Sequence, residues 1–105
     1  MAYTVEFSPH SARQFAKLPT STQNRIKPHI DALAENPRPP GATKIEGEES
    51  CFRIRVGSYR VIYDIYDDKL WVLILRVAHR KEVYRGRLHA EAMREYVDKK
   101  LRSRK

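Results

Sequence analysis

The stretch of sequence that decides the fold is CFRIRVGSYRVIYDIY, residues 51–66. Apolar residues alternate with polar ones on both sides of a Gly-Ser pair at 57–58. A period of two is typical of a half-buried strand, and a two-residue loop that begins with Gly suits a type II′ hairpin. The stretch therefore predicts a β-hairpin in which Arg55 lies directly opposite Arg60.

This hairpin would have one apolar face and one basic face. The apolar face would hold Phe52, Ile54, Val56, Tyr59, Val61, Tyr63 and Ile65. The other face would hold Arg53, Arg55, Arg60, Ile62 and Asp64. Because like charges opposite each other on paired strands are destabilising, the pair of Arg55 and Arg60 favours a polyanion as the partner of the basic face. The alternative is a basic surface that serves only solubility.

Length and composition narrow the class of protein. A chain of 105 residues that is 41% hydrophobic is long enough for one domain with its own core. A single cysteine excludes an intramolecular disulfide and is typical of the reducing cytoplasm. The longest apolar run, residues 70–75, is too short to span a membrane. The four histidines lack the spacing of a zinc site, so neither a metal nor another cofactor is predicted.

The net charge of +8 is unevenly distributed along the chain. Residues 1–50 hold six Lys/Arg and six Asp/Glu, so the whole positive surplus lies in residues 51–105. A surplus confined to one part of a chain indicates a surface for nucleic acid or for an acidic protein partner.

The residues before the hairpin predict one strand and two helices. Residues 2–7 alternate as a strand does, and Ser8-Pro9 is a helix-start signal for a helix that ends near residue 18. A second helix begins at residues 20–22 and ends before Asn36-Pro37. Residues 37–50, rich in Pro and Gly, are predicted to be a loop.

The residues after the hairpin predict a buried strand and a helix. In LWVLILRV, residues 70–77, apolar residues occupy both the odd and the even positions, which indicates a central strand buried on both faces. A three-residue loop before this strand would place Arg76 on the face of Arg60, and a two-residue loop would place it on the opposite face. Residues 86–105 predict a C-terminal amphipathic helix with a basic end.

Together these elements predict an α+β fold. An N-terminal strand and a two-helix hairpin would pack on a mainly antiparallel four-stranded sheet, followed by the C-terminal helix. Residues 1–87 would form the main unit, and residues 88–105 would be a helix of the same single domain.

The order of elements, with CFRIRVGSYRVIYDI followed by VAHRKEVYR, resembles the RelE toxins of toxin–antitoxin modules, in the RelE/ParE superfamily. The resemblance covers about residues 1–85. It implies a RelE-like, microbial-RNase-like fold and a metal-independent endoribonuclease that cuts mRNA in the ribosomal A site. It also implies a cognate antitoxin partner, through which the complex would bind operator DNA.

The resemblance implies five catalytic residues. Two basic residues before the hairpin turn match Arg53 and Arg55, the arginine after the turn matches Arg60, an arginine after the last strand matches Arg80, and a tyrosine near the end of the common region matches Tyr84.

One departure concerns the general base. In the best-known RelE members the two basic residues before the turn are lysines, and one of them is thought to be the base. Arginine is a poor base because its pKa lies above about 12. His79, whose unperturbed pKa would be about 6.5, is a hypothetical replacement, and Arg76 is a further candidate site residue. Two other functions remain open: a ParE-like toxin that inhibits gyrase without nuclease activity, and a non-catalytic binding module.

Overall fold

The structure, a computed structural model, describes residues 2–45, 47 and 50–80. Along the chain these residues form β1 (Thr4–Phe7), α1 (Pro9–Ala16), α2 (Thr20–Ala32), β2 (Thr43–Lys44), β3 (Cys51–Val56), β4 (Tyr59–Tyr66), a 3₁₀ turn (Asp67–Lys69) and β5 (Trp71–His79). The predicted C-terminal helix, the unit at residues 88–105 and Tyr84 lie outside the described residues.

The strands form one sheet in the order β1-β5-β4-β3-β2. β1 runs parallel to β5, and the other three strand pairs are antiparallel. The predicted α+β class is confirmed, but the predicted count of four strands is wrong. The additional strand is β2, in a segment predicted to be a loop, where Thr43 and Lys44 pair with Arg53 and Phe52. Two residues are too few to show an alternating pattern, which is why this strand cannot be recognised from the sequence.

The two helices cover one face of the sheet, and the main core lies between them and the strands. From α2 and the turn after it, Ile26, Ile30 and Leu33 are at most 1% exposed and pack on the apolar face of the hairpin. The central strand predicted from residues 70–77 is confirmed, because β5 lies between two strands and Trp71–Ile74 are fully buried.

Helix α1 begins at the predicted signal. The Ser8 hydroxyl accepts a hydrogen bond from the Ser11 amide at 3.1 Å, and Pro9 occupies the first helical position. This is the N-cap arrangement that satisfies an otherwise unpaired amide of the first helical turn. The cap fixes where α1 starts and therefore which of its side chains reach β5.

A polar cluster fastens the sheet at the end far from the hairpin turn. Arg38 donates to both carboxylate oxygens of Asp67, at 3.1 and 2.7 Å, and the Tyr3 hydroxyl donates to the same carboxylate. The hydrogen bond from Arg38, followed by that from Tyr3, lowers the pKa of Asp67 to about 2. Within the described residues, no helix is long and apolar enough to cross a membrane.

Candidate functional site

The hairpin at residues 51–66 has the predicted register. Arg55 lies opposite Arg60, and the loop holds two residues. Gly57 has a φ of 61°, whereas Ser58 is not among the described residues with positive φ. A type II′ turn needs a positive φ only at its first loop position, while type I′ needs it at both. The turn is therefore type II′, and it fixes the cross-strand arginine pair.

Four arginines occupy the sheet face opposite the helices, in two adjacent rows across β3, β4 and β5. The first row is Arg55, Arg60 and Ala78, and the second row is Arg53, Ile62 and Arg76. We call Arg53, Arg55, Arg60 and Arg76 the arginine face. Because every second residue of a strand is about 7 Å further along it, the four side chains start from an area that one or two phosphate groups could cover.

The centre of the arginine face is apolar. Ile62, which lies between Arg53 and Arg76, is 8% exposed, and Ala78, which ends the other row beside Arg60, is 7% exposed. Charges beside such a surface are screened less than charges surrounded by water. An anion bound there would therefore interact more strongly with the guanidinium groups than it would on an ordinary solvated surface.

The nearest carboxylate of the hairpin lies one row beyond the arginines. Asp64 pairs with Cys51 on one side and Leu73 on the other. Its two oxygens accept hydrogen bonds from the hydroxyls of Ser50, at 3.2 Å, and Tyr66, at 3.0 Å. Among the described residues of the sheet, the two rows nearest the hairpin turn contain four arginines and no carboxylate.

Arg76 reaches the arginine face through a β-bulge. The connection between β4 and β5 holds four residues, 67–70, whereas the sequence predicts a loop of two or three. The register then shifts between Ile62, which pairs with Arg76, and Tyr63, which pairs with Ile74, so Leu75 is an additional residue. A bulge reverses the alternation of the residues after it. Without the bulge, Arg76 would point into the core. The partial burial that remains lowers its pKa below the ordinary value.

The end of β5 places His79 and Arg80 differently. His79 pairs with Tyr59, their rings edge to face at 5.7 Å, and Tyr59 belongs to the apolar face of the hairpin. His79 is therefore on the opposite face from Arg55 and Arg60, and this geometry gives no support to its hypothetical role as their base. The Arg80 amide donates to the Ser58 carbonyl at 2.8 Å, which holds Arg80 beside the hairpin turn.

A further cation lies at the turn and was not identified from the sequence. The Arg25 guanidinium, from α2, covers Gly57 so closely that a β-carbon there would lie 2.9 Å from its Nη2 atom. Arg25 is an exposed helix residue in a basic protein, with no motif to distinguish it. Its position depends on how α2 packs on the sheet, which is a tertiary property.

Of the sequence-predicted site residues, the structure brings five together around the hairpin turn. One face of the sheet holds four of them: Arg53, Arg55, Arg60 and the additional candidate Arg76. Arg80 comes directly after β5, beside the hairpin turn. The combination of several guanidinium groups on one sheet face, beside a tight turn, suits the binding of a phosphodiester.

Comparison with known proteins gives a consistent family. Residues 3–84 match the family described as ParE toxin of type II toxin–antitoxin system, parDE. The chain is 28% identical over 96 residues to the mRNA interferase toxin RelE of Escherichia coli, an alignment that covers 90% of this chain and 97% of that protein. It is 34% identical over 86 residues to toxin RelG of Mycobacterium tuberculosis, covering 81% of this chain and 99% of that one.

The fold matches as well. The toxin–antitoxin complex RelBE2 from Mycobacterium tuberculosis contains a chain that superposes with a TM-score of 0.67 and 32% sequence identity. The superposition covers 76% of this chain and 100% of that one.

Proposed function

The chain belongs to the ParE toxin family of type II toxin–antitoxin systems, as a RelE-type toxin, and from this premise we propose that it is an mRNA endoribonuclease that acts on translating ribosomes. The observation that carries the proposal is the arginine face. A like-charge pair flanked by two more arginines is unfavourable for folding, whereas it is favourable for holding the phosphate between two nucleotides. The ribosomal substrate would place the protein in the cytoplasm.

The proposed reaction needs no metal ion. The ribose 2′-oxygen attacks the adjacent phosphorus and loses its proton, the bond from phosphorus to the 5′-oxygen breaks, and that oxygen gains a proton. The products are a 2′,3′-cyclic phosphate and a free 5′-hydroxyl. Arg53, Arg55 and Arg60 would stabilise the negative charge that develops on the phosphate oxygens, which is often the largest contribution to catalysis.

Proton transfer is the weaker part of this site. General acid–base assistance contributes about 10²–10⁴-fold to rate, and arginine is a poor base. Arg80 would face the leaving 5′-oxygen as an electrostatic partner, and Tyr84 would stack on or orient a base of the message. Positioning of the message in the ribosomal A site would compensate for weak basicity, because alignment of reacting atoms can itself lower the barrier by several kcal/mol.

The proposed regulation is by a cognate antitoxin. The relative in the RelBE2 complex is a toxin bound to its antitoxin. With a net charge of +8, this chain would suit an acidic or amphipathic segment that folds as it binds. The complex would then bind operator DNA through the antitoxin.

The decisive experiment uses purified protein, ribosomes programmed with an A-site codon, and primer extension to map breaks in the message. We expect a cut within that codon, and we expect Arg60→Ala and Arg80→Ala each to lower the cleavage rate about tenfold or more, the scale of a lost transition-state contact. Arg13→Ala, which removes an exposed arginine from α1 on the opposite side of the sheet, is the matched control. Wild-type rates in folded Arg60→Ala and Arg80→Ala variants would refute the site assignment.

The family name supports a second candidate. The matching family is described by its ParE members, and a ParE-like toxin would inhibit gyrase without cutting RNA. Folded wild-type protein that leaves the message intact but inhibits supercoiling by gyrase would establish this alternative. Inactivity in both assays would leave a non-catalytic binding module.

A further inference from the structure

The bulge in β5 creates a backbone problem that α1 solves. On the side of β5 away from β4, pairing with β1 ends at Ile74, which lies opposite Phe7. The backbone groups that follow Ile74 on this side have no strand partner in β1. Buried backbone groups without hydrogen bonds are costly, so another element has to supply partners at the bulge.

The N-cap residue of α1 and two of the helix's side chains contact the backbone on both sides of the bulge. The Ile74 carbonyl accepts from the Ser8 amide at 2.9 Å and from the Ser11 hydroxyl at 2.7 Å. Gln14 Oε1 accepts from the Val77 amide at 2.9 Å. Ser11 is fully buried and Gln14 is half-buried, so these hydrogen bonds are largely protected from water.

The hydrogen bond from Val77 depends on the bulge. In a regular strand, backbone groups three residues apart point to opposite edges, so the amide of Val77 would point away from the edge to which the Ile74 carbonyl points. The inserted Leu75 turns this amide to the same edge, where Gln14 receives it. Gln14 therefore stabilises the bulged strand and not the regular alternative.

The residues between these contacts belong to the proposed active site. Arg76 lies directly between Leu75 and Val77, and Ala78 and Arg80 follow, the first opposite Arg60 and the second at the hairpin turn. A change in the bulge would move the guanidinium of Arg76 relative to Arg60. Transition-state stabilisation requires such groups to be held in place before the reaction.

We propose that Gln14, on α1, is a positioning residue for the arginine face: by accepting from the Val77 amide it holds the β5 bulge that presents Arg76, and with it the end of β5, to the RNA phosphate. This inference rests on the proposed endoribonuclease function. Gln14 lies on the helix side of the sheet and touches no RNA itself; it acts through the backbone of β5.

The test compares three variants of the full chain. Gln14→Met keeps the length of the side chain but removes the acceptor, and Gln14→Glu keeps an oxygen acceptor. Gln23→Met is the matched control, since Gln23 donates to the Leu18 carbonyl at 2.9 Å in the connection between α1 and α2. For each variant we would measure single-turnover cleavage on programmed ribosomes and the half-saturating protein concentration. We would also measure amide exchange at Val77 by NMR, and thermal unfolding.

In Gln14→Met, we expect the Val77 amide hydrogen to exchange with solvent about fivefold faster than in the wild type. The single-turnover cleavage rate should fall about fivefold, which is the scale of one lost hydrogen bond. The half-saturating concentration should change by less than about twofold, because Arg53, Arg55 and Arg60 lie on β3 and β4 and do not depend on the bulge. Gln14→Glu should restore both values to within about twofold, and Gln23→Met should leave both unaltered.

Unchanged Val77 exchange in Gln14→Met would overturn the inference, whatever happens to cleavage. Faster exchange with an undiminished rate would overturn it as well, since the bulge would then not matter for the reaction. If wild-type protein cuts no message, the proposed function fails separately. In that case a shifted Arg76 Nε–H resonance in Gln14→Met would still support the positioning of Arg76, and an unshifted one would refute it.

Discussion

The like-charge pair at the hairpin turn predicts that stability and activity change in opposite directions when one arginine is replaced. Arg55 is exposed, lies opposite Arg60, and has Arg53 two residues before it on the same strand. Replacing Arg55 with Gln removes one charge from the cluster, and replacing it with Glu converts repulsion into attraction. We expect both variants to be more stable than the wild type and less active.

The magnitude follows from the sheet geometry. Arg53 starts about 7 Å from Arg55 along the strand, and Arg60 starts about 5 Å away, directly opposite. If each pair of charges is taken to be about 7 Å apart, the repulsion per pair in water is about 0.6 kcal/mol. At 0.15 M salt the Debye length of about 8 Å reduces the total for two neighbours to about 0.5 kcal/mol. We therefore expect Arg55→Gln to raise the free energy of unfolding by about 0.5 kcal/mol and Arg55→Glu by about 1 kcal/mol.

The assay is urea unfolding followed by circular dichroism, because urea leaves the ionic strength unchanged. At 1 M salt, where the Debye length is about 3 Å, the differences should nearly disappear. Lys44→Gln is the control for removing a positive charge from a strand, since Lys44 is exposed and pairs with Phe52 instead of an arginine. Cleavage by both Arg55 variants should fall about tenfold or more.

Two results would refute this reasoning. If Arg55→Gln is less stable than the wild type, or if its gain does not depend on salt, the arginines do not repel one another as the register implies. If a folded, stabilised Arg55→Glu variant cuts messages at the wild-type rate, the arginine face does not bind the scissile phosphate.

Two further predictions concern stability. The pKa of Asp67 is lowered to about 2 in the folded protein, so its contribution is present above the unfolded pKa near 4 and disappears as pH falls through about 2. Since this side chain is 56% exposed, we expect Asp67→Asn to lower the free energy of unfolding, measured in urea, by about 0.5–1 kcal/mol at pH 6 and by almost nothing at pH 2. An equal loss at both pH values would show that the ion pair of Asp67 with Arg38 is not the source of the stability. Gly57→Ala should lower the free energy of unfolding by about 1–2 kcal/mol, because alanine is strained at the positive φ of this position. Adding Arg25→Ala should not restore stability, because the flexible guanidinium can move aside. Full restoration would show that the contact with Arg25, and not the backbone, requires glycine.

Some site residues could be placed from the sequence because their positions depend on local pattern. The alternation of Arg53 and Arg55 with apolar residues, and the glycine that begins a two-residue loop, were sufficient to place Arg55 opposite Arg60. The buried strand at residues 70–77 was recognisable for the same reason, since apolar residues in both parities indicate burial on both faces. The Ser8-Pro9 signal predicted the beginning of α1 correctly.

Other features depend on contacts between residues that are distant in sequence. The sequence does not determine which face Arg76 occupies, because that face depends on a four-residue connection and a bulge at Leu75, and neither has a sequence signature. Gln14 has no feature in the sequence that distinguishes it from other helix residues. Its role depends on the packing of α1 beside β5, which brings it to Val77, 63 residues further along the chain.

The sequence by itself determined the hairpin, its register and the chemical character of the basic face, because strand alternation and turn conformation are properties of neighbouring residues. Tertiary structure alone decided that Arg76 joins this face, that His79 lies on the other one, and that Arg25 covers the turn. Those outcomes follow from the packing of helices against the sheet and from the need to pair the buried backbone of β5.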